Sequence, residues 1–399
     1  MFENTPTAPS DPIFGLTAAF RCDDNAAKIN LGAGVFRNEH GRTPILGVVK
    51  EAERRLWQEE DSKTYLAIEG NRTYAAHVQR LILGRNHPLA AADRLVTVHT
   101  PGGTGALRLA ADFLKNQYPD CTVWIPDPTW INHSQICQAA GLETRPFPYL
   151  DTARRRLTFK RLMLTLATAE AGDVVLLHGC CHNPSGIDPS PDQWRQLTEL
   201  LCERSVVPLV DFAYLGFGQG LPQDRTGILA LANGLDEMMV CTSFSKNFAL
   251  YNERVGALTV MTPSAESAAA VLSQVKHAAR VAYSNPPAHG AAIVTTIMDS
   301  DEMYTQWREE LEAMRERIVD MRRLFVQGLN ARGVALSPYG NEFLLEHNGM
   351  FSFLGLSTEQ VDRLRTEFSI YIVGSSRVNF ASMTRASMDY LCDAVAQVV

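Results

Sequence analysis

One lysine, two serines and one arginine stand close together past the middle of the chain. They are Ser243, Ser245, Lys246 and Arg254, and they follow the short apolar run at residues 240–242. A lysine amine condenses with an aldehyde as a Schiff base, while hydroxyl and guanidinium groups bind a phosphate dianion. The segment therefore suits a phosphorylated aldehyde. The alternative is an ordinary solvated lysine in a loop after a strand.

A glycine- and threonine-rich segment at residues 100–105 lies between a predicted strand and a predicted helix. Its amides, including those of Gly103 and Thr104, can point at an anion at the positive end of the helix. No Gly-Lys-Ser/Thr follows, and the glycine spacing differs from the dinucleotide fingerprint. We interpret the segment as a phosphate cradle, with a tight turn that binds nothing as the alternative.

An acid stands at the end of another apolar run. Asp211 directly follows residues 206–210, where open α/β sheets place ligand-binding residues. A buried carboxylate needs a partner, and a pyridinium nitrogen would be one, because the ionised acid keeps that ring protonated as an electron sink. Tyr214 could bond the ring oxygen. A helix cap or a pair with a structural arginine is the alternative.

Two histidines and two cysteines fall within residues 178–186, and such residues are common metal ligands. The spacing fits no usual zinc site, so the sequence predicts none. Neutral imidazoles beside a strand-end carboxylate are better interpreted as donors to it. Asn183 precedes a proline, which favours a turn that presents its amide to the same crevice. A plain turn remains the alternative.

Arg280 and Arg377 could bind carboxylates, because guanidinium groups grip them with two parallel hydrogen bonds. Two such groups in one crevice would select a dicarboxylic acid. Most arginines, however, simply lie on the surface.

Strand-like runs and helix-period segments alternate along the chain, which predicts an α/β fold with a mostly parallel sheet. The predicted strands are 95–98, 122–125, 174–177, 207–210, 238–242 and 255–260, and the predicted helices are 106–114, 192–202 and 265–279. A long amphipathic helix at about 302–329 follows. Further strands at 350–354 and 370–372, and a helix from about Arg385, predict a smaller second domain.

The composition is that of a globular protein with two domains. The 399 residues are 46% hydrophobic and 20% charged, with a net charge of −7. Because acidic and basic residues are interspersed, nucleic acid is not an expected partner. No apolar run is long enough to span a membrane, and the N-terminus lacks the pattern of a signal peptide, so we expect a cytoplasmic protein. The eight cysteines lack CxxC spacing and are predicted to be reduced core residues.

Taken together, these motifs resemble those of class I, fold-type I pyridoxal-phosphate aminotransferases of the bacterial aspartate and aromatic amino acid subgroup. The matching segments span essentially the whole chain: 2–4, 11–13, 29–32, 101–106, 110–114, 178–186, 211–214, 245–248, 251–256, 283–290 and 349–352. The resemblance implies a seven-stranded type of sheet flanked by helices and a smaller α/β domain. Residues 1–44 would form an N-terminal arm and part of the small domain, 45–312 the large cofactor-binding domain and 313–399 the small C-terminal domain.

The resemblance also implies roles for individual residues. Lys246 would carry pyridoxal 5'-phosphate as a Schiff base and later move a proton at the substrate α-carbon. Asp211 would bind the pyridinium, with His133 and His178 behind it. The expected binders of the phosphate are Gly103, Thr104, Ser243, Ser245 and Arg254.

Three further residues would contact the cofactor ring. Asn183 and Tyr214 would bond its phenolic oxygen, and Trp130 would stack on its face.

The implied protein is a homodimer with shared active sites. Tyr65 and Arg280 would come from the neighbouring subunit, the first to the phosphate and the second to the distal carboxylate of the substrate. Arg377, with Gly34 and Asn183 nearby, would bind the α-carboxylate.

Substrate choice is where the chain departs from the aspartate pattern. Thr104 and Asn285 match aspartate-preferring members, whereas Phe36, Arg37, Thr64, Ala67, Ala282 and Ser376 do not. The expected reaction is transfer of the amino group of a dicarboxylic or aromatic L-amino acid to 2-oxoglutarate by a ping-pong route. Alternatives are β-elimination or decarboxylation with the same cofactor, or a non-catalytic binding protein of this fold. A nucleotide-dependent oxidoreductase is disfavoured by the missing glycine fingerprint.

Overall fold

The computed structural model describes residues 2–7, 12–151 and 155–399. The chain divides into two compact units, one of residues 44–316 and one of residues 1–43 with 317–399. The predicted domain borders lie close to these divisions. The assignment of cofactor binding to the larger unit stays a prediction.

Helices make up much of the described chain. They are α1 (Pro12–Cys22), α2 (Gly47–Glu59), α3 (Arg72–Leu83), α4 (Gly102–Gln117), α5 (Asn132–Ala139), α6 (Phe159–Leu166), α7 (Pro191–Arg204), α8 (Leu221–Asp224), α9 (Thr226–Gly234), α10 (Ala265–Ala282), α11 (Ala288–Asp299), α12 (Asp301–Ala331), α13 (Thr358–Phe368) and α14 (Arg385–Val398). Short 3-10 helices occupy Phe2–Asn4, Pro88–Ala91, Glu342–Glu346 and Phe380–Ser382.

The strands are short and mostly buried. They are β1 (Ile29–Asn30), β2 (Leu95–Pro101), β3 (Thr122–Asp127), β4 (Glu143–Pro148), β5 (Leu150–Asp151), β6 (Arg156–Leu157), β7 (Val174–His178), β8 (Val207–Phe212), β9 (Met238–Ser243), β10 (Val255–Met261), β11 (Phe351–Phe353), β12 (Ile370–Tyr371) and β13 (Arg377–Asn379).

The large sheet of the 44–316 unit has the order β2-β10-β9-β8-β7-β3-β4 in the described part of the chain. Its pairs are parallel except those of β10, which runs antiparallel to β2 and β9. The connection from β9 to β10 is the short segment 244–254, too short for a parallel crossover. The segment that carries Lys246 and Arg254 is therefore a link between antiparallel neighbours.

The core of this unit lies where helices cover the sheet. Small side chains such as Ala106, Ala110 and Ala279 on α4 and α10 pack with buried strand residues such as Val98 and Val123. Strands that are buried on both faces read as continuous apolar runs, which is why the sequence located them. The predicted α/β fold with a seven-stranded, mostly parallel sheet is confirmed.

The second unit, residues 1–43 with 317–399, contains two small sheets. In one, β1 pairs with β12 in parallel, and in the other β11 pairs with β13 antiparallel. Arg322 on α12 is buried there and donates to the Gly349 carbonyl at 2.7 Å and to Ser352 Oγ at 2.5 Å. These bonds compensate the burial of its charge.

Three features differ from the sequence-based expectation or extend it. β4 was not predicted, because its two prolines read as a loop, yet it is an edge strand, where proline is tolerated. All eight cysteines are free, but Cys22 and Cys202 are exposed and are not core residues. None of the helices in the described ranges combines the length and apolar composition that a membrane crossing requires.

Candidate active site

Lys246 lies in a turn that is anchored from several sides. Trp307 on α12 donates from Nε1 to the Asn247 carbonyl at 2.8 Å, and its ring stacks on Phe248 with centroids 4.5 Å apart. Asn247 Nδ2 donates to the Leu215 carbonyl at 3.3 Å. The lysine is thereby held between two fixed neighbours, with its Nζ 4.8 Å from the centroid of the Tyr214 ring.

The surroundings of Lys246 favour the neutral amine. Burial lowers the pKa of Lys246, and the nearby Arg254 charge lowers it further, while Asp211 acts in the opposite direction. A lysine with a depressed pKa is a better nucleophile and base at neutral pH. The amine, the carboxylate and the guanidinium are thus close enough to influence one another electrostatically.

An anion cradle adjoins this turn. Arg254 Nη1 donates to Ser245 Oγ at 3.2 Å, and Ser243 Oγ lies 3.2 Å from Ser245 Oγ. Gly102 has a φ of +73°, and a Cβ there would lie 2.5 Å from Arg254 Nη2. A Cβ at Gly103 would lie 2.9 Å from Ser243 Cβ. Glycine is required at these positions because the backbone, the hydroxyls and the guanidinium approach one another so closely.

The start of α4 completes the cradle. The predicted loop at 100–105 is shorter than expected, because β2 runs to Pro101 and α4 begins at Gly102. Among the described residues no side chain caps this helix, so its first-turn amides are available to an anion. Thr104 lies exposed in that turn.

Neighbouring strands bring three side chains to one edge of the sheet. The register pairs His178 with Asp211 and Asp211 with Cys241, and Ser243 ends the next strand. We call His178, Asp211 and Ser243 the strand-end edge. Asp211 lies inside β8 as its penultimate residue rather than just after it. The edge is buried throughout.

Asp211 is oriented by a histidine from α5. His133 Nε2 lies 3.0 Å from Asp211 Oδ2, and His133 Nδ1 lies 2.8 Å from Thr129 Oγ1. Because an ionised carboxylate only accepts, Nε2 carries a proton and donates it to Oδ2. No residue in the described part of the chain donates to Oδ1, which leaves that oxygen for a further donor.

The charges at this edge are determined by burial and by neighbouring groups. Burial opposes ionisation of Asp211, but the hydrogen bond from His133 and the electrostatic effect of the neighbouring basic side chains outweigh it and lower the pKa of the carboxyl group. Burial lowers the pKa of His178 to about 3, so this imidazole is neutral at ordinary pH. Both ring nitrogens of His178 lack a partner among the described residues. His133 is therefore the histidine that bonds Asp211 directly.

The turn after β7 holds Asn183 in a buried position. Asp188 accepts from the amides of Cys181 and His182 at 2.8 and 2.9 Å, and the Tyr149 ring stacks on His182 at 3.8 Å. Trp130 is half-buried and meets the His133 ring edge-on, with centroids 5.3 Å apart.

The chemistry of this donor set fits pyridoxal phosphate. An amine that suits an aldehyde, a carboxylate with an available oxygen that suits a ring N–H, and an amide, hydroxyl and guanidinium cradle that suits a phosphate all lie in the larger unit. One group of side chains at this site could instead bind a metal ion, because His133, His178 and Asp211 offer ligand atoms within 4.8 Å of one another. The His133–Asp211 hydrogen bond already uses two of those atoms. The absence of a metal stays a prediction.

Arg377 and Gly34 lie in the other unit. Arg377 is 5% exposed, donates to the Gly32 carbonyl at 2.7 Å and lies over the Phe351 ring at 4.3 Å from its centroid. Asn379 Nδ2 donates to the carbonyls of residues 33 and 35 at 2.6 and 2.8 Å. The segment around Gly34 is thus pinned beside a fixed guanidinium.

Tyr65 and Arg280 lie on the surface of the larger unit. Arg280 Nη1 donates to Ser284 Oγ, which bonds Asn285 Oδ1 at 3.0 Å, and Asn285 Nδ2 donates to the Leu66 carbonyl at 2.7 Å. Tyr65 itself is 92% exposed. We call Tyr65, Leu66, Arg280, Ser284 and Asn285 the Arg280 surface. A hydrogen-bonded chain therefore connects the two segments that carry the residues expected to act across a subunit boundary.

Several supporting residues were not predicted. Thr129 precedes α5, and nothing in its spacing from His133 pointed to the contact. Trp307 stands at an apolar position of the long helix, and its indole N–H gave no hint of a partner sixty residues away. Asn379 stands two residues after Arg377 and had no predicted role.

Comparisons with known proteins agree with this arrangement. The sequence model of the family described as "Aminotransferase class I and II" matches residues 26–395. An aspartate aminotransferase of Salmonella typhi is 49% identical over 399 residues, covering all of both chains. An aromatic-amino-acid aminotransferase of Pseudomonas aeruginosa is 43% identical, covering all of this chain and 98% of the other.

A solved structure extends the comparison to the fold. It is an aromatic-amino-acid aminotransferase from Burkholderia pseudomallei covalently bound to pyridoxal phosphate, with a TM-score of 0.97 and 42% sequence identity. The similarity covers all of this chain and 99% of that one.

Proposed function

The chain belongs to the class I and II aminotransferases, and we propose that it transfers the amino group of L-aspartate and of aromatic L-amino acids to 2-oxoglutarate. It is a transaminase that uses pyridoxal phosphate. The observation that carries the proposal is that one turn holds the Lys246 amine over the Tyr214 ring and is continuous with the Ser245–Arg254 cradle. Relatives named for aspartate and relatives named for aromatic amino acids both match over the full length.

Pyridoxal phosphate, when bound, supplies an electron sink for the bonds of the substrate α-carbon. Lys246 would bind its aldehyde and, once released, would hold and move the α-proton at Nζ. Asp211 would accept the ring N–H at Oδ1, because His133 already engages Oδ2. Asn183 and Tyr214 would bond the phenolic oxygen, and the cradle would hold the phosphate.

The substrate would be bound by two arginines of different character. Arg377 would take the α-carboxylate, which every amino acid carries, beside the Gly34 segment. Arg280 would take the distal carboxylate of aspartate. Arg280 is bonded to a serine and forms no ion pair with an acid among the described residues. Turning away from an aromatic ring would therefore break no ion pair, which supports a broad substrate range.

We infer a homodimer in which Tyr65 and Arg280 serve the neighbouring active site. Support comes from the exposure of apolar groups beside the hydrogen-bonded chain, since Tyr65 is 92% and Val281 78% exposed. Large exposed apolar side chains of this kind are typical of protein interfaces. A cytoplasmic location stays a prediction.

The first test is spectroscopic. The purified protein with its bound cofactor is mixed, without an oxo acid, with L-aspartate, L-glutamate, L-tyrosine or L-phenylalanine, and the visible absorbance band is followed in a single turnover. Loss of the band with aspartate and with the aromatic acids at similar rates supports a broad range, and loss with aspartate and glutamate alone restricts it to dicarboxylates. Lys246→Ala should lose both the band and turnover, whereas the exposed control Lys160→Ala should keep both.

Two outcomes would favour the alternatives. Ammonia or carbon dioxide released without an oxo acid acceptor would indicate elimination or decarboxylation as the main reaction. Absence of any cofactor band, with a folded protein, would indicate a binding protein.

The shared active site has its own test. Lys246→Ala and Arg280→Ala homodimers are each deficient with aspartate, and subunit exchange between them would create dimers with one intact site if Arg280 acts across the boundary. Statistical mixing then restores about a quarter of the wild-type aspartate activity. No recovery after verified exchange would show that Lys246 and Arg280 serve the same chain.

A further inference from the structure

A second cavity lies in the larger unit, formed by residues with no role in the proposed reaction. Its volume is about 420 Å³, and it is bounded by the C-terminal ends of α3 and α11 and the starts of α9 and α12. Its polar lining includes His77, Arg80, Arg85, Arg225, Asp299 and Tyr304. We call this cavity the Arg225 pocket.

Arg225 is a half-buried cation whose direct partners are neutral. Its Nε donates to the Leu81 carbonyl at 2.6 Å, and the Tyr304 side chain supplies its other hydrogen bond. No ion pair with a carboxylate is found for it in the part of the chain that the structure describes. The nearby Asp224 accepts from three backbone amides, those of residues 216, 218 and 219.

The burial of this guanidinium is costly. Burial lowers the pKa of Arg225, Tyr304 and the nearby Asp224 carboxylate act in the opposite direction, and the positive charge of Arg308 lowers it further. A half-buried guanidinium without a direct ion pair is incompletely compensated, and an anion that entered the pocket would reduce that cost.

The other arginines leave further positive charge unmatched. Arg80 is exposed and forms no ion pair among the described residues. Arg85 lies over the Tyr304 ring at 4.8 Å from its centroid and reaches Asp301 only at 3.5 Å. Because the Asp301 side chain is 95% exposed, this ion pair contributes little to stability.

The remaining acid is already engaged. Asp299 Oδ1 lies 2.6 Å from His77 Nε2. His77 is 3% exposed, and its Nδ1 has no partner in the described ranges. Three arginines therefore face two aspartates, one bonded to histidine and one largely in solvent.

We propose that the Arg225 pocket binds a small phosphate-bearing anion, with Arg225 as its main anchor and Arg80 as a second. Guanidinium groups match phosphate oxygens with paired donors and tolerate partial burial better than ammonium groups do. The volume lies within the range of small-ligand pockets and exceeds what a bare phosphate needs. The site is separate from the phosphate cradle at Gly103 and Arg254, and the proposal does not depend on the substrate of the enzyme.

The test is calorimetric titration of the holoenzyme, freed of unbound cofactor, so that the cofactor phosphate fills the cradle. Inorganic phosphate is the first probe and glycerol 2-phosphate the second. We expect saturable binding that Arg225→Gln weakens about tenfold or more, since a charge-assisted hydrogen bond is lost. Arg80→Gln should weaken it less, and Arg161→Gln, an exposed arginine on α6, should leave it unchanged.

Arg80→Gln keeps the test decisive if Arg225→Gln fails to fold, because Arg80 is exposed and its loss spares the Arg225–Leu81 bond. Tighter binding of the ester would identify a phosphate monoester as the ligand, and tighter binding of inorganic phosphate would identify the free ion. Absence of saturable binding, or binding that neither pocket variant weakens, would overturn the proposal.

Discussion

The strand-end edge and the Arg280 surface are built in opposite ways. The residues of the edge lie at the ends of adjacent, fully buried strands, and an adjoining helix fixes Asp211 through His133. The Arg280 surface combines the last turn of α10 with two loops, and its hydrogen-bonded chain ends at a backbone carbonyl next to a tyrosine that is almost wholly exposed. One region is complete within the chain, whereas the other has its functional groups turned toward solvent.

This difference suggests a division of labour. Groups that act on the α-carbon of every substrate need fixed positions and fixed charges, which buried strand ends provide. Groups that distinguish one side chain from another can be adjustable, and exposed loops provide that freedom. Changes at the edge should therefore affect all substrates, whereas changes at the surface should affect aspartate selectively.

The largest effect should come from Asp211→Asn. The amide keeps the shape of the side chain but loses the negative charge that would support a protonated ring, so turnover should fall on the order of 10³-fold for every amino acid. Steady-state rates with aspartate and phenylalanine measure this loss, with the exposed Asp120→Asn as the control. Retention of turnover near the wild-type value would remove Asp211 from this role.

His178 provides a test of the edge through pH. Its folded pKa of about 3 lies below the ordinary value of 6.5, so its contribution to stability is present above pH 6.5 and is lost as the pH falls toward 3. By pH 4 the stability lost in this way amounts to at most about 3 kcal/mol.

In the His178→Asn variant, the melting temperature should therefore decrease less between pH 6.5 and 4 than it does in the wild type. The exposed His40→Asn should leave the slope unchanged, as should changes at the Arg280 surface. Parallel curves for His178→Asn and the wild type would contradict burial as a neutral imidazole.

Arg280→Leu should separate the two substrate classes. Loss of a guanidinium–carboxylate pair should reduce kcat/KM for aspartate about 100-fold, while phenylalanine, which has no distal carboxylate, should change only slightly. The control is Arg161→Leu. An equal loss for both substrates would mean that Arg280 acts on a feature that all substrates share.

The smallest effect should come from Ser284→Ala. This change removes the acceptor that orients Arg280 but keeps an L-residue at a φ of +66°, so backbone strain is matched. One lost hydrogen bond should lower kcat/KM for aspartate about two- to tenfold and leave phenylalanine unaffected. A loss in thermal stability without a shift in the aspartate to phenylalanine ratio would assign Ser284 to the fold alone.

The edge could be predicted from sequence and the surface only in part, for a physical reason. Buried parallel strands are recognisable in the sequence as apolar runs. The residue at the end of each run is therefore expected at the carboxyl edge of the sheet. Tyr65 stands in a loop without periodicity, and Arg280 is an exposed arginine in the last turn of α10 like many surface arginines, so their roles came from the resemblance alone. The Arg225 pocket gave no signal, because its lining comes from separate segments near residues 77–86, 225 and 298–304 that only the folded chain unites.

The link between β9 and β10 has a consequence for protein engineering. Residues 244–254 carry both the lysine expected to bind the aldehyde and the arginine expected to bind the phosphate, and Trp307 fixes the backbone between them. The two attachment points thus belong to one segment of fixed length. An insertion or deletion within residues 244–254 would alter the distance between Lys246 and Arg254. Transfer of the whole segment together with Trp307 into another protein would keep that distance.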